Sequence, residues 1–131
     1  MKKTITFEDF EPGTRLGEHL DAYSADMAQA WQRIFGEHLV DGGAEAASVA
    51  MVLSMRAFLG VVSPRPPGNV HAREQFSLFS LPTPGEQVRS VVSCVAKEIK
   101  RERFYVDLDV AGTGDGGRAL YSGRMSLIWA A

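Results

Sequence analysis

The run Ala44-Glu45-Ala46-Ala47-Ser48-Val49-Ala50-Met51-Val52-Leu53-Ser54-Met55-Arg56-Ala57-Phe58-Leu59 decides the fold. Its apolar residues do not keep to one stripe. Val49, Val52, Leu53, Met55, Phe58 and Leu59 are joined by Ala46, Ala47, Ala50, Met51 and Ala57 around almost the whole circumference. A helix apolar on all sides is one surrounded by protein. Continued to Val62, the segment approaches the length that spans a bilayer. Glu45, Ser48, Ser54 and Arg56 interrupt it, however, and a charge near a bilayer centre costs at least about 2.5 kcal/mol. The expectation is a helix of about 24 Å inside a soluble protein, stopped by Gly60 and then by Pro64, Pro66 and Pro67.

Working towards the N-terminus, Thr14 to Tyr23 reads as extended chain, and Thr4 to Phe10 as a short strand or extended lead closed by Glu11-Pro12-Gly13. Ser24 is a candidate helix cap with Asp26 in the first turn. Met27, Trp31, Ile34 and Phe35 then fall on one face of a surface helix, which Gly36 ends. Towards the C-terminus everything reads as sheet. Val70 to Phe79 is followed by the turn Pro82-Thr83-Pro84-Gly85 and by the long valine-rich run Gln87 to Lys100. Phe104, Val106, Leu108 and Val110 alternate with Arg103, Tyr105, Asp107 and Asp109. The glycine-rich loop Gly112 to Gly117 leads into a last strand with Tyr121, Gly123, Met125, Leu127 and Trp129 on one face. A curved antiparallel sheet wrapped around one buried helix meets the burial needs of both, so the fold class is α+β.

A chain of 131 residues buries about two-thirds of its unfolded surface, enough for one core and one domain over residues 1–131. The balance of 14 Lys and Arg against 16 Asp and Glu argues against nucleic-acid binding, which needs a basic surface. The single cysteine, Cys94, excludes an internal disulfide and reads as a buried strand thiol among Val91, Val92 and Val95. Met1-Lys2-Lys3-Thr4 runs into Phe7-Glu8-Asp9-Phe10 and not into an apolar stretch, so no signal peptide and a cytoplasmic location are expected. The three histidines lack metal-ligand spacing, and no metal is expected.

This order of elements resembles the hot-dog fold, and several segments resemble its MaoC-like dehydratase branch. Thr6-Phe7-Glu8-Asp9-Phe10-Glu11-Pro12-Gly13 is similar to that family's opening, and Gly36-Glu37 stands where it has a Gly-Asp pair. Leu81-Pro82-Thr83-Pro84-Gly85-Glu86 resembles its Pro-x-x-Pro-Gly-Asp turn, and Gly123-Arg124-Met125-Ser126-Leu127 its terminal strand. The resemblance implies an acyl thioester ligand, usually acyl-CoA, no cofactor beyond it, and a homodimer with sites near the subunit interface. The reaction it implies is reversible hydration of an enoyl thioester. An Asp and a His, in Gly-Asp-x-Asn-Pro-x-His, move the protons, while a backbone N–H polarises the carbonyl.

The chain departs from that motif. It reads Gly36-Glu37-His38-Leu39-Val40-Asp41-Gly42, so Glu37 falls on the Asp while Leu39, Val40 and Gly42 replace Asn, Pro and His. Glu37, His38 and Asp41 lie within five residues and are the candidate acid–base groups; the alternative is a solvated loop after a helix end. Arg56 is either salt-bridged or a contact for a ligand carboxylate or phosphate. The basic run Lys97, Lys100, Arg101 and Arg103 is a candidate CoA phosphate site, with Glu98 and Glu102 interleaved as in an ordinary hairpin end. His71 is either a further base or a structural residue at the start of its strand, and His19 is expected in solvent. A hydratase, a catalytically empty binding or partner subunit, and a thioesterase are the functions left open.

Overall fold

The computed structural model describes residues 3–35 and 42–130, with the side chains of 31, 32, 34, 35 and 42–44 excepted. Strands β1 (Arg15–Ala22), β2 (Val70–Leu78), β3 (Gln87–Lys100), β4 (Arg103–Thr113) and β5 (Ala119–Trp129) form one sheet. Their order is β1-β3-β4-β5-β2, with every neighbouring pair antiparallel. Helix α1 (Ala25–Phe35) follows β1, with the Ser24 hydroxyl accepting the Met27 N–H at 3.3 Å. Helix α2 (Gly42–Val61) packs against all five strands. This is the expected α+β arrangement of a sheet curled around one helix.

The pleat explains the core. Val88, Val92 and Cys94 of β3, Val106, Leu108 and Val110 of β4, and Met125, Leu127 and Trp129 of β5 all point inward. They meet Val49, Ala50, Leu53, Ala57 and Phe58 of α2, and small alanines let the sheet approach the helix closely. Irregularities between Arg15 and Gly17, His71 and Arg73, Cys94 and Ala96, and Gly112 and Thr113 interrupt the register. Each such bulge bends its strand, which is how the sheet curls.

Two expectations need correction. The lead before β1 is a strap that contains a single 3-10 turn, Phe7–Asp9, and no strand. Phe7 and Phe10 are both buried, and side chains three apart cannot share a face of a strand. Phe10 packs edge-on against Trp129 and Phe7 against Phe104, each with ring centres 4.9 Å apart. Thr6 donates from its backbone N–H to Asp9 at 2.8 Å and from its hydroxyl at 3.1 Å, which holds the Asp9 carboxyl below its usual pKa. The strap is tied down by the Trp129 indole N–H, which donates to the Ile5 carbonyl at 3.0 Å, and by Ile5 N–H donating to Pro64.

The second correction concerns α2. It is not covered all round: Ser48, Val52, Arg56, Leu59 and Gly60 make an exposed stripe, with Val52 and Leu59 each a little over two-fifths exposed. The curled sheet covers the rest of the circumference but not this edge. Gly36 at the end of α1 lies outside the described residues. Among the described residues no helix is long and apolar enough to cross a membrane.

Cys94 is buried as expected, and burial pushes its thiol pKa up. The native protein should therefore react negligibly with an aromatic disulfide reagent at pH 8 and release one equivalent on unfolding. Full labelling of the native state within minutes would contradict its place in the core.

Candidate functional site

Strand β2 leaves the end of α2 and runs back along the edge of the sheet. His71 pairs with Leu127 of β5 and Glu74 with Met125, both inward-facing positions. Residues three apart on a regular strand face opposite sides. The bulge between His71 and Arg73 inserts Ala72 as an extra residue and so returns His71 and Glu74 to the same face.

On that face His71 Nε2 stands 3.7 Å from Glu74 Oε2, and the imidazole lies edge-on to Phe58 of α2 with ring centres 6.5 Å apart. The other carboxylate oxygen, Glu74 Oε1, is fully buried and has no hydrogen-bond donor among the described residues. It lies over Gly123 of β5, where an added Cβ would be 3.8 Å away. Phe76, the next inward residue of β2, stacks on Tyr121 at 5.4 Å. The His71 and Glu74 side chains keep 31% and 22% of their exposure, so solvent reaches the pair although it does not reach Oε1. An ionised carboxylate only accepts, and buried polar atoms in native proteins are nearly always paired.

The turn between β2 and β3 is a different kind of acidic site. Glu86 is buried and accepts from Thr83 N–H at 2.9 Å, Asp115 N–H at 2.8 Å and the Arg118 guanidinium at 2.5 Å. Burial pushes its carboxyl pKa up, but these donors outweigh it and bring the value down to about 2. Gly85, at φ +89°, lets the turn close, and its N–H donates to the Tyr23 carbonyl at 2.7 Å. Both carboxylate oxygens of Glu86 accept hydrogen bonds in a buried position, so it braces the β2–β3 turn against the β4–β5 loop.

The residues expected from the sequence fall in three places. Glu37, His38 and Asp41 lie outside the described residues. Arg56 is on the exposed stripe of α2, 3.4 Å from Asp21 of β1. Arg101 and Glu102, with φ of 53° and 65°, form the tight turn between β3 and β4, with Arg103 beside them, all three exposed. Asp21 pairs with Val88, so nearly the whole 14-residue length of β3 separates Arg56 from Arg101. At about 3.3 Å per residue this is on the order of 40 Å, and the three arginines do not form one basic site. Lys97 turns inward after the bulge at Val95, donating to the Phe7 carbonyl at 3.2 Å over the Phe7 ring. His19 is half-buried and not free in solvent as expected: it sits 3.5 Å from Asp21 and against Gly60 of α2.

On the outer face of the sheet a cleft of about 600 Å³ is lined by Arg73, Lys100, Glu98, Tyr105 and Asp107. Its charges are of mixed sign. Among the described residues no group of three His, Cys, Asp or Glu side chains is placed to hold a metal ion.

No protein-family model and no curated protein matches the chain by sequence. Solved structures match it by fold. A MaoC-like dehydratase from Rhodospirillum rubrum aligns with a TM-score of 0.72 at 15% identity, over 95% of this chain and 96% of that one. An R-hydratase from Pseudomonas aeruginosa aligns with a TM-score of 0.69 at 14% identity, over 96% and 86%. A hypothetical thioesterase from Streptococcus pneumoniae aligns with a TM-score of 0.61 at 12% identity, over 100% and 98%. The chain has the hot-dog fold, in the form found in MaoC-like dehydratases and R-hydratases.

Proposed function

We propose that this protein binds acyl thioesters, acyl-CoA in the first instance, and hydrates the enoyl form. The observation that carries the reading is architectural. Over 95% of its length the chain follows the fold of a MaoC-like dehydratase. Hydration needs a base to take a proton from water as it attacks the β-carbon, and an acid to protonate the α-carbon. Glu37 and His38, with Asp41, are assigned to those transfers because Glu37 occupies the motif's acidic position. Arg101 and Arg103, exposed together at one turn, are assigned to the CoA phosphates, and Arg56 to a separate contact at the other end of β3. A homodimer through the free edge of β2 completes the reading. That edge and the loop after it expose Val70, Leu78, Phe79 and Leu81, an apolar run of the kind a subunit interface covers.

The purified protein should hydrate crotonyl-CoA, followed by loss of the enoyl absorbance. Glu37→Ala and His38→Ala should each lower the rate about 100-fold. Unchanged turnover in both variants rejects their assignment.

A second reading is favoured by Leu39, Val40 and Gly42, which replace the motif's Asn, Pro and His. On it the chain is a binding or partner subunit without chemistry of its own. Retained acyl-CoA binding with neither hydration nor thiol release would establish that reading; thiol release alone would make it a thioesterase.

A further inference from the structure

We propose that the cleft on the outer face of the sheet is a binding site for a free dipeptide, held end to end between Asp107 and Arg73. It lies on the side of the sheet away from α2 and is independent of the thioester reading. Two bulges make it. The β3 bulge falls between Cys94 and Ala96 and the β2 bulge between His71 and Arg73. Both adjoin one row that crosses four strands, Ala96–Asp107–Ser126–Arg73. A bulge bends its own strand and re-aims side chains, so one on either side of β4 and β5 creases the sheet along that row. Ala72, Ala96 and Ser126 line the cleft of about 600 Å³ with short side chains, which lets a ligand lie close against the strands. Small-molecule sites occupy volumes of this order.

The row separates charge. Asp107 is on β4, with Tyr105 beside it on the same face and Glu98 of β3 across from Tyr105, whereas Arg73 is on β2, two strands away. Arg124, one row off, is held on Asp109 by two hydrogen bonds of 2.7 and 2.9 Å, which keeps it from closing over Asp107. Strands are about 4.8 Å apart and their side chains stand roughly perpendicular to the sheet, so upright Asp107 and Arg73 groups are about 10 Å apart. Hydrogen bonds of about 2.8 Å at each end leave about 4–6 Å between the charges of the ligand itself. An α-amino acid is too short for that gap. The ammonium and carboxylate of an extended dipeptide are about 6 Å apart, and its peptide group then lies over the Ser126 hydroxyl, which can donate and accept. The ammonium meets carboxylates and the Tyr105 ring, and the carboxylate meets a guanidinium, each a matched partner. Mixed sign, which suits a CoA phosphate poorly, is what such a ligand requires.

The test is calorimetric titration of the full chain with diglycine, with N-acetyldiglycine, which lacks the ammonium, and with diglycinamide, which lacks the carboxylate. Wild type should bind diglycine at least about tenfold more tightly than either blocked form. Asp107→Asn should erase the advantage over N-acetyldiglycine, and Arg73→Gln the advantage over diglycinamide. Each variant should bind the form that lacks its own partner group within about twofold of wild type. Both side chains stand on the outer face, so Tm should stay within about 2 °C of wild type. Equal affinity for the three peptides in wild type overturns the site, as does a diglycine preference that survives both substitutions. Absence of binding by all three overturns it outright. None of these outcomes bears on crotonyl-CoA hydration, by which the thioester reading is judged separately.

Discussion

Gly112→Ala should destabilise the protein by about 3 kcal/mol or more, lowering Tm by about 10 °C. Gly112 stands directly across the β4–β5 ladder from Tyr121, whose ring lies over it. A Cβ at Gly112 would come within 1.9 Å of Tyr121 Cε2 and 2.5 Å of Cδ2, distances no packing tolerates. The ring cannot step aside cheaply. It is fully buried and stacked on Phe76, and its hydroxyl is 2.5 Å from the Ser90 hydroxyl. Burial pushes the Tyr121 pKa up to about 12, although the Ser90 hydrogen bond works against the rise. A double-variant cycle with Tyr121→Ala provides the check by chemical unfolding. The two losses should be clearly less than additive, because removal of the ring removes the clash. Full additivity would mean that Gly112 is needed for some other reason.

Loss of the Glu86 carboxylate should have the next largest effect. Glu86→Ala strands the Thr83 and Asp115 N–H groups and leaves Arg118 without its buried partner, at a cost of about 3 kcal/mol near neutral pH. The same residue makes the protein acid-labile. The hydrogen bonds hold its carboxyl pKa down to about 2 in the folded protein, against 4.5 for the free side chain. Between those values the unfolded chain binds more protons than the folded one. The stabilisation is thus fully present above about pH 4.5 and lost progressively as pH falls towards 2. Urea unfolding of wild type at pH 6 and pH 3 should differ by more than that of Glu86→Gln. Parallel pH dependence in the two proteins would show that other carboxylates carry the acid transition.

The fold was legible because its decisive signals are local. The alternation of Phe104 to Val110, the breaks at Pro64 to Pro67 and the turn at Pro84-Gly85 mark β4, the end of α2 and the β2–β3 corner without tertiary information. The sequence leaves the strap open between a strand and an extended lead because Phe7 and Phe10 look like strand residues until both must be buried on one side. The exposed stripe on α2 was invisible for the opposite reason. Val52 and Leu59 are apolar, and only the limited reach of the sheet leaves them uncovered. The Glu74–His71 pair escaped altogether. Period-two reasoning puts residues 71 and 74 on opposite faces, and a bulge has no side-chain signature at Ala72. His71 alone was conspicuous. The pattern of Leu81 to Glu86, by contrast, is visible in the sequence as a family-like turn, but only the hydrogen bonds show that its carboxylate works as a brace.

The tie between Trp129 and Ile5 has a consequence for the order in which the molecule assembles. The β3–β4 and β4–β5 hairpins close between neighbours in sequence, whereas the indole bond joins residues 124 positions apart. Contacts of such separation carry the largest loop-closure entropy and form only once the rest is in place. The strap should therefore dock last in refolding and peel first under denaturant. Trp129, buried beneath it, gives that final step its own fluorescence signal.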